Sequence, residues 1–222
     1  MLQIKLIVIV VLLSSSLVFA GVVDFSPGLL RYVSAKWGSE APSRLQNWRD
    51  SVLQRVRARH ENQTPSAVFS RDDLQYINTL WNKIPYYTDL KHWGVDDYWA
   101  TPVEMLGSNG GDCEDYAIGK YFSLKELGIP VAKLRITYVR AQSISEPHMV
   151  LAYYPSPDAD PYILDILTDK ILPASQRTDL EPVYSFNDED LWAAGAFSYK
   201  GKSSQIRLWR ELLEKMDKES QM

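Results

Sequence analysis

The strongest periodic signal lies in the first half of the chain and has the period of a helix. Between Ala41 and His60, Leu45, Trp48, Val52 and Val56 recur at spacings of three or four, which puts them on one helical face. A shorter helix is predicted ahead of it in SPGLLRYVSAKWG, stopped by Gly38. A third is predicted over SRDDLQYINTLWNKIP. Ser70 is its N-cap, with Asp73 three residues on as a shortened capping box. Leu74, Ile77, Leu80 and Trp81 form its apolar face, and Pro85 ends it. The polar stretch ENQTPSAVF links the second helix to the third. From Tyr86 to Gly111 the periodicity fades into loop with short helical pieces, rich in aromatic and acidic residues. It returns at Cys113, with Ala117, Ile118, Tyr121, Phe122, Leu124 and Leu127, and closes at Gly128 and Pro130.

Beyond Pro130 the period shortens to two. Val131–Val139 and His148–Tyr154 read as strands, and Tyr162–Leu167 as a third, joined to the second by PSPDADP. EPVYSFN is a candidate fourth strand. Ser203–Lys218 closes the chain as an amphipathic helix whose Ile206, Leu208, Trp209, Leu212 and Leu213 need a partner surface. Helices followed by antiparallel strands predict an α+β domain with helices packed on one side of a sheet.

Composition narrows the function classes. The chain has 222 residues, 45% hydrophobic and 23% charged, enough for one globular domain with a real core. A formal net charge of −4 argues against nucleic-acid binding by phosphate neutralisation. The N-terminus carries Lys5, an apolar run from Leu6 to Leu13, then small residues through Val18-Phe19-Ala20. This is the layout of a secretory signal, with cleavage expected after Ala20 and export to the periplasm. The run is shorter than the ~20 apolar residues of a membrane span. The expected division is a signal peptide over 1–20, a helical segment over 21–69 and the main domain over 70–222, the last two forming one globular unit. An exported chain with a single cysteine cannot form an internal disulfide. That thiol is therefore a buried apolar group, an intermolecular partner or a nucleophile.

Cys113 stands at a predicted helix start, after Gly110-Gly111 and among Asp112, Glu114 and Asp115. The glycines let the backbone turn sharply into the helix. Free N–H groups at a helix N-terminus lower a thiol pKa and can stabilise an oxyanion, whereas neighbouring acids do the opposite. His148 begins the second strand and shares a face with Val150, Ala152 and Tyr154. Asp165 lies near the end of the third strand, where antiparallel pairing can bring it to His148, with Asp169 a nearby competitor. A histidine held by a carboxylate can take the proton of a thiol. Of the other histidines, His60 sits at a helix end and His92 in a loop beside Trp93.

Gly111-Asp112-Cys113-Glu114-Asp115-Tyr116, the helix after it, His148 following Pro147, and Leu164-Asp165 resemble the bacterial transglutaminase-like cysteine proteases of the LapG type. NKIPYYTD and DDYWATPVEML share the likeness, which spans roughly Ser70 to Trp192. The resemblance implies a papain/transglutaminase-like core with Cys113 as nucleophile, His148 as general base and then acid, and Asp165 as the orienting carboxylate. It also implies a calcium requirement, and a substrate that is the N-terminal region of a large surface adhesin, cut at a di-alanine motif. The implied inhibitory partner is a LapD-like inner-membrane receptor that responds to cyclic di-GMP and so controls biofilm attachment. Calcium would reconcile the acids with the thiol. Asp112, Glu114 and Asp115 are hard oxygen donors, and a bound divalent ion offsets their charge. Alternatively, they are only favourable charges in a first helical turn. Two other readings keep the same residues: a transamidase or cell-wall amidase, and a catalytically silent calcium-dependent binding module.

Overall fold

The computed structural model describes residue 21 and residues 23–61, 70–144, 147–193 and 201–222. The expected signal peptide and most of the polar connector after Glu61 lie outside the described residues. Two helices open the fold: α1, Pro27–Trp37, and α2, Ala41–Glu61. Ser26 caps α1 by accepting the Leu29 N–H, and Gly38, the predicted stop, follows it at φ 91°. Helix α3, Arg71–Asn82, begins at the predicted cap, where Ser70 Oγ accepts the Asp73 N–H at 3.2 Å. The capping box is not completed. The Asp73 carboxylate takes the Ser70 hydroxyl, Arg55 and Arg59 instead, because two guanidiniums outcompete a backbone amide for it.

The loop region contains α4, Asp89–His92, and α5, Pro102–Ser108. Helix α6, Cys113–Glu126, is the central helix, ended through Gly128 at φ 89°. The strands follow: β1 Leu134–Ala141, β2 Pro147–Tyr153, β3 Tyr162–Leu164, β4 Leu172–Pro173, β5 Leu180–Phe186, β6 Asp190–Ala193 and β7 Gly201–Lys202, then α7 Arg207–Ser220. They form one antiparallel sheet in the order β4-β3-β2-β1-β5-β6-β7.

Three predicted boundaries move. Val131–Lys133 is a 3-10 turn rather than strand, because pairing with β2 begins only at Leu134, opposite Tyr153. β3 stops at Leu164 instead of Leu167: the Asp165 side chain turns back to accept the Leu167 N–H, and Asn82 takes the Asp165 carbonyl. The final helix starts at Arg207, after a 3-10 turn over Ser203–Gln205. Trp209 and Leu212 enter the core from it, while Leu213 is exposed.

One face of the sheet carries the helices and the main core, which runs from Val23 and Leu29 through Trp48 and Trp81 to Ile118, Leu151 and Trp209. The first two helices thus share their core with the rest of the chain. The other face buries a small cluster of Val139, Val150, Ala152 and Ile163. Helix α6 lies against β2 and β1, with α3 on its other side. Ser123 ties these helices together, since its hydroxyl accepts the indole N–H of both Trp48 and Trp81. No helix among the described residues is long and apolar enough to cross a membrane.

Candidate active site

Cys113 is the first residue of α6, reached by a turn that differs from the sequence expectation. The left-handed residue is Asn109, at φ 58° and ψ 48°, and neither Gly110 nor Gly111 has a positive φ. The glycines serve close approach instead. A Cβ on Gly111 would stand 2.5 Å from Asp115 Oδ2, and one on Gly110 would meet the Tyr87 ring at 2.5 Å. The Gly111 carbonyl accepts the Tyr87 N–H at 2.9 Å, which clips the turn to the chain ahead of α4. Asp112 then caps the helix, and its N–H donates to Asp115 Oδ2 at 3.2 Å.

The thiol is partly buried and donates to Glu114 Oε2 at 3.0 Å. Burial and the Glu114 charge push it well above the ordinary thiol range, opposed by the backbone N–H of Met149. The acids therefore act on Cys113 as the sequence implied they should when no cation offsets them.

His148 follows at the start of β2, adjoining Met149. Its ring is 1% exposed, and Nε2 lies 2.7 Å from Asp165 Oδ1. Asp165 comes from just beyond β3, the strand beside β2, so sheet register produces this contact. Asp165 Oδ2 accepts Arg177 Nη2 at 2.7 Å. Burial raises the Asp165 pKa, but His148, Leu167 and Arg177 outweigh it and hold the carboxyl down at about 2. An ionised Asp165 makes Nε2 the ring donor and leaves Nδ1 as the acceptor. Nδ1 is buried with no hydrogen-bond partner among the described residues. From α6, the fully buried Lys120 also directs its charge toward Asp165, and burial pushes it down to about 7.

Cys113 and His148 line one open cleft of about 680 Å³. Its walls include Trp99, which stacks on Phe186, and the stacked pair Tyr138–Tyr184, with centroids 5.1 Å apart. Asp89, Asp112 and Glu114 lie on the same cleft. Ligand oxygens of Asp89, Asp112 and Asp115 fall within 4.8 Å of one another, as do those of Asp89, Asp97 and Glu114. Asp89 Oδ1 and Asp112 Oδ1 are buried without a partner among the described residues. Burial and mutual repulsion push Asp89 up to about 6 and Asp112 to about 10, and raise the fully buried Asp115 well above its ordinary range. The clustered, buried oxygens of Asp89, Asp112 and Asp115, two of them orphaned, fit a hard divalent cation. Asp115 is partly committed elsewhere, because its oxygens take the Ala100 and Asp112 N–H groups.

The fold thus brings Cys113 and His148 to one cleft, with Asp165 bonded to the His148 ring, and sets Asp112, Glu114 and Asp115 beside them. Asp169 stays exposed on Asn82 and does not reach His148. His92 stacks on Tyr87 and bonds Ser108 at 2.8 Å, and does not itself line the cleft. The side chain of His60 lies outside the described residues. Sequence reasoning missed Asp89, Asp97, Lys120 and Arg177. Asp89 stands in the quoted NKIPYYTD stretch, but nothing in its spacing marks a ligand. Arg177 sits in a turn with no pattern at all.

A cysteine at the tip of a helix packed on an antiparallel sheet, sharing a cleft with a strand-borne histidine that a carboxylate holds, defines a transglutaminase-like cysteine protease. Residues 47–194 match the family described as bacterial transglutaminase-like cysteine proteinase, BTLCP, and the chain belongs to that family. Among solved structures it is similar to Legionella pneumophila LapG. The EGTA-treated form is 37% identical, with a TM-score of 0.72 over 85% of this chain and 96% of that one. A second LapG structure is 36% identical, with a TM-score of 0.71 over 85% and 94%. The calcium-bound form is also 36% identical, at 0.69 over 84% and 97%. No curated protein matches the sequence significantly.

Proposed function

We propose that the protein is a calcium-dependent periplasmic cysteine endopeptidase that cuts the N-terminal region of a large surface adhesin at a di-alanine-type site, and so controls biofilm attachment. The observation that carries the catalytic part is the free Nδ1 of His148, whose ring is fixed through Nε2 by Asp165 beside the Cys113 cleft. In this reading Cys113 Sγ attacks the scissile carbonyl carbon while its proton passes to His148 Nδ1. The carbonyl oxygen gathers negative charge against the Cys113 backbone N–H at the start of α6. Collapse of the adduct breaks the C–N bond, and His148 returns its proton to the leaving amine. Water, deprotonated by His148, then hydrolyses the thioester and frees the thiol. Asp165 stays ionised throughout and orients the ring.

Asp112, Glu114 and Asp115, joined by Asp89, would hold calcium. The bound ion would offset the acidic charge that otherwise opposes the Cys113 thiolate. Support comes from the two orphaned carboxylate oxygens and from the similarity to a LapG structure described as calcium-bound. The LapD-like cyclic di-GMP receptor is proposed as the inhibitory partner, and the periplasm as the compartment, on family resemblance and the N-terminal segment.

The test is incubation of the purified protein, with calcium or with chelator, against N-terminal fragments of exported adhesins from the same cell. Cleavage is expected only with calcium, with new free carboxylates in the products, and none from C113A. Unchanged cleavage by protein verified as calcium-free would remove the metal from the proposal. Full activity in C113A would remove the nucleophile.

A further inference from the structure

Arg177 has no part in the chemistry above, yet it is 5% exposed and directly bonded to Asp165. The two oxygens of Asp165 have separate tasks. Oδ1 receives His148 Nε2 at 2.7 Å and the Leu167 N–H at 3.1 Å, while Oδ2 receives Arg177 Nη2 at 2.7 Å. The guanidinium is itself clamped from outside. Its Nε and Nη2 donate to Asp179 Oδ1 and Oδ2 at 2.9 and 2.8 Å, and the Asp179 side chain is 41% exposed. The backbone holds the same residue, with the Arg177 N–H on Ala174 and its carbonyl on Leu180, each at 3.0 Å. A line of contacts therefore runs from the surface at Asp179, through Arg177 and Asp165, to His148.

We propose that Arg177 is a positioning residue of the active site, whose guanidinium locks the Asp165 carboxylate in the one orientation that presents the free Nδ1 of His148 to Cys113. The inference rests on reading Cys113, His148 and Asp165 as the reactive set. A carboxylate with one oxygen untethered turns about its last torsion and no longer specifies a ring tautomer. Lys120 faces Asp165 from α6 and adds positive charge, but no hydrogen bond joins the two. It supplies attraction without direction. Only the planar fork of an arginine engages Asp165 and Asp179 together, so lysine at this position keeps the charge and loses the lock.

The test needs no substrate, because Cys113 is the only thiol in the chain. With excess calcium, the rate of Cys113 alkylation by iodoacetamide is measured for the parent, R177M and R177K, alongside the ring nitrogen NMR shifts of His148. Loss of a partner that orients a metal-bound histidine costs about 10- to 100-fold, and on that analogy R177M should react roughly 10-fold slower with altered ring shifts. R177K should fall between R177M and the parent. A folded R177M with the parent rate and parent ring shifts would reduce Arg177 to a structural ion pair and overturn the proposal. Where R177M does not fold, R177K decides, and parent values in it overturn the proposal equally. Failure of the underlying reading looks different: H148A would then alkylate as fast as the parent, whatever Arg177 does. Lack of adhesin cleavage by a parent protein that shows the expected alkylation pattern would count against the substrate and leave Arg177 in place.

Discussion

Ser123→Ala removes one oxygen and unpairs two indoles. Ser123 is fully buried on α6; its hydroxyl accepts Trp48 Nε1 at 2.8 Å and Trp81 Nε1 at 2.9 Å, and donates to the Gly119 carbonyl at 2.8 Å. Trp48 and Trp81 are 2% and 1% exposed and meet edge to face at 5.5 Å, so water has little access to either N–H. Leaving a buried donor unsatisfied costs about 1–3 kcal/mol, and two donors are lost. Alanine returns about 0.5 kcal/mol through its better helix propensity. The net expectation is a loss of about 3 kcal/mol, or roughly 6–12 °C in melting temperature for a chain of this size. Urea unfolding followed by circular dichroism, in calcium-saturated buffer, measures it. In a W48F background only one indole depends on the hydroxyl, so the cost of S123A should fall to about half. A loss below about 1 kcal/mol in the parent background would show that the indoles find other partners, and the three-helix junction would not rest on this hydroxyl.

Two further predictions concern charge. The Asp112 carboxyl, pushed up to about 10 by burial and the neighbouring acids, should give up its proton when calcium binds, and Asp115 is raised in the same direction by the same causes. Calorimetry at pH 7 in buffers of differing ionisation enthalpy should find about one proton or more released per ion, with affinity rising as pH rises; zero release would mean that Asp112 is not a ligand. For Asp165 the sign is opposite. Its folded pKa of about 2 lies below the ordinary 3.8, so its ionisation stabilises the fold above about pH 4 by about 2 kcal/mol, and that contribution fades as pH falls toward 2. The stability gap between the parent and D165N should therefore narrow across that window, and a gap independent of pH would refute the assignment.

Periodicity alone located most of the helices, because each buries one stripe and its caps are local chemistry. Ser26, Ser70, Gly38 and Gly128 act where the chain's own neighbours place them. The short strands β4, β6 and β7 escaped, since two to four residues hold too little alternation to register. Apolar residues continue past Asp165 to Leu167 and mimic a longer strand, whereas side-chain bonds from Asp165 and Asn82 end the pairing. Gly110 and Gly111 resemble turn formers in the sequence, which shows permissive residues without showing what crowds them.

The α+β order, the helix that opens on Cys113 and, through the family motif, the histidine and aspartate to watch are all legible in the chain before it folds. These are consequences of neighbours along the chain. That Asp89 joins the acids around Cys113 and that Arg177 grips Asp165 emerges only from packing. Asp89 is 23 positions before Asp112 and Arg177 is 12 after Asp165, distances along the chain that carry no local signal. Sheet register and loop packing bring them together, and the desolvation that raises one carboxylate and the guanidinium that lowers another exist only once they are buried side by side.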